Sequence, residues 1–192
     1  MPTKLTRRSG TIAVIGAIAW VVAALVSILR AGDISSDSDW EAPYLTWALL
    51  VFVAAVCTTV AIFGLLRRTN TGRRWISIAA RLLAILGTVL LGLAAWAWIA
   101  LVPLLTVAAL VAVLRLRSQL LGSALFQWLL VIAWPVGIGL ALLLYQLKVG
   151  PVDSYGDHYL AGEFGFATGS LLFAAGLATI GLWLRSEKNG ES

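Results

Sequence analysis

Residues 82–114 read LLAILGTVLLGLAAWAWIALVPLLTVAALVAVL, a run of 33 residues without a charged side chain, bounded by Arg81 and Arg115. One straight helix of this length would extend about 50 Å at 1.5 Å per residue, whereas the hydrocarbon core of a bilayer is about 30 Å thick. Tilting accommodates a few surplus residues but not this excess. The stretch therefore predicts two short spans joined by a tight turn near Trp96 and Trp98, with one overlong span as the alternative.

The rest of the chain is equally apolar. Hydrophobic residues make up 60% of the 192 residues and charged residues 12%, against about 45–50% and about 25% in a typical soluble domain. These proportions argue against a water-soluble globule and a disordered chain, and they predict an all-α, polytopic transmembrane helix bundle. We expect a single membrane domain over residues 1–192 with six spans, at residues 11–29, 45–66, 76–95, 99–115, 123–147 and 164–184.

The orientation follows from the basic residues. With six spans, twelve of the fourteen Lys and Arg residues fall on the side that holds both termini, and only Arg30 and Lys148 fall on the other. Basic residues are enriched in short cytoplasmic loops, so both termini are expected to be cytoplasmic. The net charge of +5 then reflects membrane orientation, and nucleic acid is not expected as a partner. The compact, Arg/Ala/Leu-rich chain favours the plasma membrane of a bacterial-type cell.

Several kinds of catalytic chemistry have no residues to support them. None of the predicted spans contains Asp, Glu, Lys or His, and the chain has a single His, which excludes a zinc site of the H-E-x-x-H type. We therefore expect a protein that is not an enzyme and binds no cofactor. The sequence favours an accessory or structural subunit of a membrane complex, whose partners are the lipid bilayer and either other membrane subunits or further copies of the chain.

The first polar loop on the non-cytoplasmic side is acidic. Asp33, Asp37, Asp39 and Glu41 alternate along it, and carboxylate oxygens at this spacing suit a hard cation such as calcium. The loop has neither the glycine turn nor the later glutamate of an EF-hand. A plain solvated loop is the alternative interpretation.

The second polar loop, residues 148–163, carries another group of candidate residues. Asp157, His158 and Glu163 lie close together in sequence, beside Tyr155 and Tyr159. They predict an outward-facing ligand site or a pH-sensitive contact in which the imidazole titrates and the carboxylates are its partners. The alternative is an ordinary polar loop whose tyrosines belong to the aromatic belt at the membrane surface.

A cluster of arginines marks the cytoplasmic side. Arg67, Arg68, Arg73 and Arg74 surround a short turn, and Arg81 follows Arg74 after seven residues, on the same face of a helix. These side chains are expected to contact anionic lipid headgroups, with Arg81 extending toward the membrane surface. A docking surface for a cytosolic partner is the alternative.

Small residues and tryptophans predict how the spans pack. Ala13 and Ala17 in the first span, and Gly165 and Gly169 in the sixth, are spaced four apart, which lets helix backbones approach closely. Packing within the chain is expected, and a subunit interface is the alternative. Six tryptophans near span boundaries are expected to anchor the bundle at the membrane surface, whereas Trp20, Trp128 and Trp134 lie deeper: the six are Trp40, Trp47, Trp75, Trp96, Trp98 and Trp183.

In outline the chain is similar to the substrate-binding S-components of energy-coupling-factor vitamin transporters. The likeness rests on about 190 residues, six predicted spans, cytoplasmic termini and the Ala13-x-x-x-Ala17 motif in the first span. In that family an alanine motif of this kind contacts the transmembrane coupling subunit, and ligands bind near the outer face. The resemblance implies, as an alternative function, a module that binds or transports a small solute.

Overall fold

A computed structural model describes residues 4–32, 41–68, 74–116, 124–148 and 159–186. The described part of the chain is helical, as expected where a bilayer leaves the backbone no water to bond. It comprises α1 (Lys4–Gly32), α2 (Glu41–Arg68), α3 (Arg74–Leu93), a short 3-10 helix (Ala95–Ala97), α4 (Trp98–Leu116), α5 (Ala124–Gln146) and α6 (Tyr159–Ser186).

The long uncharged run turns where the sequence predicts it. After α3 ends at Leu93, the backbone N–H of Ala94 donates to Leu90 O at 2.8 Å and that of Ala97 donates to Ala94 O at 3.0 Å. The chain then reverses, because α4 starts at Trp98 and packs back against α3. Residues 82–114 therefore form a helical hairpin.

The surface of the bundle is apolar over most of its length. Within the described residues, five helices are long and apolar enough to cross a membrane, and α4 contributes a shorter apolar segment, Trp98–Leu114. Large hydrophobic side chains point outward from every helix, among them Leu29, Leu49, Leu82, Val107, Leu142 and Leu182. In water such a surface would be an aggregation hazard. The chain is therefore a helical bundle suited to insertion in a membrane.

The helices surround a closed interior. α6 packs between α1 and α5, α1 also contacts α2, and α4 completes the ring by touching both α2 and α5. α3 lies outside this ring, against α2 and α4. Side chains from the five ring helices fill the interior, and α3 shows most of its surface to the outside.

Glycine and alanine set the close spacing of α6 with its neighbours. A Cβ added to Gly165 would lie 2.5 Å from the Cβ of Ala141 on α5, and one added to Gly181 would lie 2.8 Å from the carbonyl oxygen of Gly10 on α1. No side chain fits at either point. Since lipid supplies no hydrophobic drive between helices, this backbone proximity supplies the dispersion contacts that hold the bundle together.

Two helices extend beyond the spans that the sequence predicts. α1 continues through Arg30 to Gly32, and α6 begins at Tyr159, so that Glu163 lies inside a helix and not in the polar loop, where it was wrongly placed. Both charged side chains are buried. The physical reason is mutual neutralisation: Arg30 and Glu163 face each other, so neither helix has to end at its charge.

Candidate functional site

A buried ion pair joins α1 to α6 near one end of the bundle. Arg30 precedes the end of α1 by two residues, and Glu163 follows the start of α6 by four. The Nη2 atom of Arg30 lies 3.4 Å from Oε1 of Glu163, and less than a tenth of either side chain is exposed. An ionisable residue buried within a membrane bundle is costly and is most often functional.

The second carboxylate oxygen of Glu163 also has a partner. The hydroxyl of Ser27, which is fully buried one turn before Arg30, donates to Oε2 of Glu163. Burying two charges costs several kcal/mol per ion, and only good pairing and further hydrogen bonds offset it. Ser27 supplies one such bond, so α1 contributes both the positive charge and a hydroxyl to the same carboxylate.

Aromatic side chains of α2 enclose the other side of Arg30. The Cζ atom of the guanidinium lies 5.6 Å from the ring centroid of Tyr44 and 5.0 Å from that of Trp47. A guanidinium at this distance from an aromatic face gains about 0.5–2 kcal/mol. Arg30 therefore connects three helices, since it lies on α1, pairs with α6 and packs against α2.

Next to the ion pair lies a cluster of six rings, which we call the aromatic core. Their centroids are spaced 5.0–6.2 Å apart, mostly in tilted or edge-on pairs. Trp47 belongs to both groups, because its ring contacts Arg30 on one side and Phe166 on the other. The members are Trp20, Trp47, Trp98, Trp134, Phe166 and Phe173.

Polar atoms within the aromatic core are satisfied unequally. Trp20 donates its Nε1 proton to Thr58 Oγ1 at 3.0 Å. Among the described residues, the Nε1 atoms of Trp47 and Trp134 and the hydroxyl of Ser170 are buried without a hydrogen-bond partner. A buried donor left unsatisfied costs about 1–3 kcal/mol, and the described contacts do not offset this cost at these three positions.

Two tryptophans that were expected at the membrane surface lie inside the bundle instead. Trp47 is 3% exposed and Trp98 is 6% exposed, and both belong to the aromatic core. Their positions near helix ends suggest interfacial anchors, but at both positions the helix turns the ring toward its neighbours. Trp75, which is 81% exposed at the start of α3, retains the environment expected of an anchor.

Most of the acidic cluster proposed as a cation site falls outside the described residues. Asp33, Asp37 and Asp39 lie there, and Glu41 is the first residue of α2, with a side chain that is not described. Within the described ranges, no three His, Cys, Asp or Glu side chains come together as a metal site would require. The calcium site stays a prediction.

The second candidate group is divided in the same way. Tyr155, Asp157 and His158 lie outside the described residues, and Tyr159 begins α6 with an undescribed side chain. Glu163 is the member whose surroundings are known, and they differ from the expectation. Its described partners are Arg30 and Ser27 inside the bundle, where a side chain of the polar loop would have been solvated.

The basic cluster is described at two positions. Arg67 is exposed at the end of α2, and Arg81 is half-buried on α3 with its Cζ atom 5.7 Å from the ring centroid of Phe63. Arg68 and Arg74 are helical with undescribed side chains, and Arg73 lies outside the described residues. Contact of these arginines with lipid headgroups stays a prediction.

The small-residue positions lie in helix interfaces within the chain. Ala13 and Ala17 are buried, and a Cβ on Gly181 would come within 3.1 Å of the Cβ of Ala13. A Cβ on Gly169 would meet the ring of Trp134 at 2.7 Å. Because α6 covers Ala13, this alanine is not free to contact a coupling subunit as the resemblance to S-components implies.

Four residues of the site were not predicted from the sequence to belong to one: Ser27, Arg30, Tyr44 and Trp47. One signal was available for Arg30, which is one of only two basic residues on the acidic side of the predicted topology. The pairing with Glu163 joins residues 133 positions apart, so no short-range pattern in the sequence indicates it.

The chain was also compared with known proteins. No family model, curated protein or solved structure matches it significantly. The features of the chain that bear on its function are therefore the ion pair, the aromatic core and the apolar surface.

Proposed function

We propose that the chain is a non-catalytic membrane protein that crosses a bacterial-type plasma membrane six times with both termini in the cytoplasm, and that it serves as an accessory or structural subunit of a membrane complex. The observation that carries the proposal is the apolar outer surface of the bundle. Large aliphatic residues face outward from the helices, while the interior holds the aromatic core, small and aliphatic side chains, and the Arg30–Glu163 pair.

The sixth span is the short helix α4. Its 19 residues correspond to about 28 Å at 1.5 Å per residue, close to the hydrocarbon thickness of about 30 Å. α4 packs antiparallel to α3 after a tight turn and closes the ring between α2 and α5. Counting α4 as a span puts both termini on one side, where most Lys and Arg residues then lie.

Cysteine labelling tests the topology. In a Cys57→Ser background, Ser36→Cys and Ser154→Cys are expected to react with a membrane-impermeant maleimide added to intact cells. Ser118→Cys is expected to react only after permeabilisation. The opposite pattern would overturn the orientation, and outside labelling at Ser118 together with Ser36 would overturn the six-span count.

A subunit role is tested by native mass spectrometry after extraction in a mild detergent or a polymer nanodisc. A stoichiometric second membrane protein, or a defined number of copies of this chain, is expected in the spectrum. A monomer that carries only lipid would contradict the subunit role. This result is independent of the labelling pattern, so the two parts of the proposal can fail separately.

The buried ion pair favours a second candidate function, a module that binds or transports a small solute. A purely structural pair is often no more stabilising than apolar residues of the same volume, whereas paired charges within a membrane commonly mark solute pathways. Arg30 and Glu163 lie near the end of the bundle that the topology places outside. A solute arriving from that side would reach them before the aromatic core.

A further inference from the structure

We infer that Arg30, Glu163 and Trp47 form a recognition site for a small zwitterionic solute, one that carries a carboxylate or phosphate together with an ammonium group. The inference rests on the second candidate function and names its ligand class. Arg30 binds the anionic group of the solute, Glu163 binds the ammonium, and Trp47 contributes both a hydrogen-bond donor and an aromatic face.

The charges of the pair support this ligand class. The described residues show one positive and one negative side chain in direct contact. A solute with a single charge would pair with one of them and separate it from the other, and breaking a buried ion pair is strongly destabilising. A zwitterion that inserts between the two offers each of them an opposite charge, so it is the class of solute that the pair accepts most readily.

The geometry of the pair supports the proposal as well. The separation of 3.4 Å between Arg30 Nη2 and Glu163 Oε1 exceeds the roughly 2.7–2.9 Å of a charge-assisted hydrogen bond. Separating these two atoms to admit a solute therefore gives up less than breaking a short charge-assisted hydrogen bond would.

The indole of Trp47 also supports the proposal. Its Nε1 atom is buried without a hydrogen-bond partner among the described residues, and its ring lies 5.0 Å from the Arg30 guanidinium. An anionic group held by Arg30 can accept the indole proton, which removes the cost of a buried unsatisfied donor. The faces of Trp47 and Tyr44, which now contact the cationic guanidinium, suit an ammonium equally well.

The site lies near one end of the bundle. Arg30 belongs to the last turn of α1, Tyr44 and Trp47 to the first two turns of α2, and Glu163 to the second turn of α6. In the proposed topology this is the non-cytoplasmic end, from which an external solute would arrive.

The test measures thermal unfolding of the full chain in nanodiscs of phosphatidylglycerol. Glycine and glycine betaine are the zwitterionic probes, and acetate and tetramethylammonium are the matched ions with one charge each. The two zwitterions are expected to raise the unfolding temperature in a saturable manner. Acetate and tetramethylammonium are expected to have no saturable effect at the same concentrations.

Two tryptophan variants separate binding from packing. Trp47→Phe keeps an aromatic ring beside Arg30 but removes the indole donor, and it is expected to weaken zwitterion binding at least fivefold. Trp134→Phe is the control, because it removes another unpartnered indole donor of the aromatic core that makes no described contact with Arg30. It is expected to leave the binding constant within twofold of wild type. Glu163→Gln and Arg30→Gln are expected to abolish the saturable effect.

A lipid headgroup with the same two charges is the other source of this chemistry, and phosphatidylethanolamine nanodiscs test it. If the headgroup reaches the site, wild type but not Trp47→Phe will unfold at a higher temperature in this lipid, and added glycine betaine will have little further effect. The proposal is overturned if neither source stabilises the wild type, if acetate stabilises it equally, or if both tryptophan variants behave alike. None of these results alters the cysteine-labelling pattern that tests the membrane topology.

Discussion

The two sides of the bundle are held together by different means. On the α6 side, glycines bring backbones into contact with α1 and α5, and the Arg30–Glu163 pair closes one end. On the α3 side, hydroxyls provide the specific contact with α2: Thr59 and Thr88 approach each other to 2.6 Å, and Thr88 also donates to the carbonyl oxygen of Ala55 at 3.3 Å. α3 otherwise presents mainly aliphatic side chains to the outside.

The two sides should therefore respond differently to substitution. Lipid is as apolar as leucine, so an outward aliphatic side chain on α3 gains little from helix association. Lipid cannot replace the contacts between closely packed backbones, and it cannot supply the opposite charge that a buried ionised side chain needs. We therefore expect the α6 side to determine the stability of the bundle and the α3 side to tolerate change.

The largest effect is expected from breaking the ion pair. Glu163→Ala leaves the Arg30 guanidinium buried without its counter-charge, which should lower the free energy of unfolding by about 3–5 kcal/mol. The measurement is reversible unfolding in mixed detergent and lipid. The control on the same helix is Arg185→Gln, which removes an exposed charge and should change stability by less than about 0.5 kcal/mol.

The double variant Arg30→Met with Glu163→Met sharpens the result. Replacing both members of a buried pair by apolar residues is often neutral, so the double variant should be more stable than Glu163→Ala. A double variant that is as unstable as the single one would show that the cost arises from lost packing and not from uncompensated charge. The stability of the α6 side would then rest on its glycines alone.

A smaller effect is expected at the α5–α6 contact. Gly165→Ala introduces a Cβ that would lie 2.5 Å from the Cβ of Ala141 and 2.6 Å from the carbonyl oxygen of Gly137, so the two helices must separate. Overpacking of this kind costs about 1–3 kcal/mol. Gly162→Ala is the matched control three residues earlier, because no atom of the described residues lies within 4 Å of its added Cβ. Equal stability of the two variants would contradict the close packing of α5 and α6.

The helices of this bundle were largely predictable, for reasons that are local in sequence. The length of an uncharged run, compared with the thickness of a bilayer, placed the turn between α3 and α4 near Trp96 and Trp98, where the chain reverses. The spacing of alanines and glycines similarly indicated close-packed faces on α1 and α6. Each of these predictions depends only on residues within one helix or two consecutive helices.

The candidate site was not predictable in the same way. Arg30 and Glu163 looked like the ends of two spans, because a charge ordinarily stops a membrane helix. Each charge is tolerated inside its helix because it pairs with the other, which lies 133 residues away in the sequence. Trp47 was interpreted as an anchor because its distance from the end of a span does not reveal which way its ring points. The site depends on tertiary contacts that composition and spacing do not encode.

The smallest of the expected effects tests the α3 side. Thr88→Val removes the hydroxyl that reaches Thr59 and the carbonyl oxygens of Ala55 and Ala84 while keeping the shape of the side chain. Interhelical hydrogen bonds in membranes average about 0.6 kcal/mol and reach about 1.7 kcal/mol, so we expect a loss within this range, measured as for Glu163→Ala.

The control for this variant is Thr179→Val on α6, whose hydroxyl is exposed and bonds only to the carbonyl oxygen of Ala175 in its own helix among the contacts described. It should change stability less than Thr88→Val does, since no second helix takes part. A loss at Thr88 comparable to that of Glu163→Ala would contradict the comparison between the two sides. In that case the association of α3 with α2 would depend on its hydroxyls as strongly as α1 and α6 depend on their charges, and α3 would belong to the structural centre of the bundle.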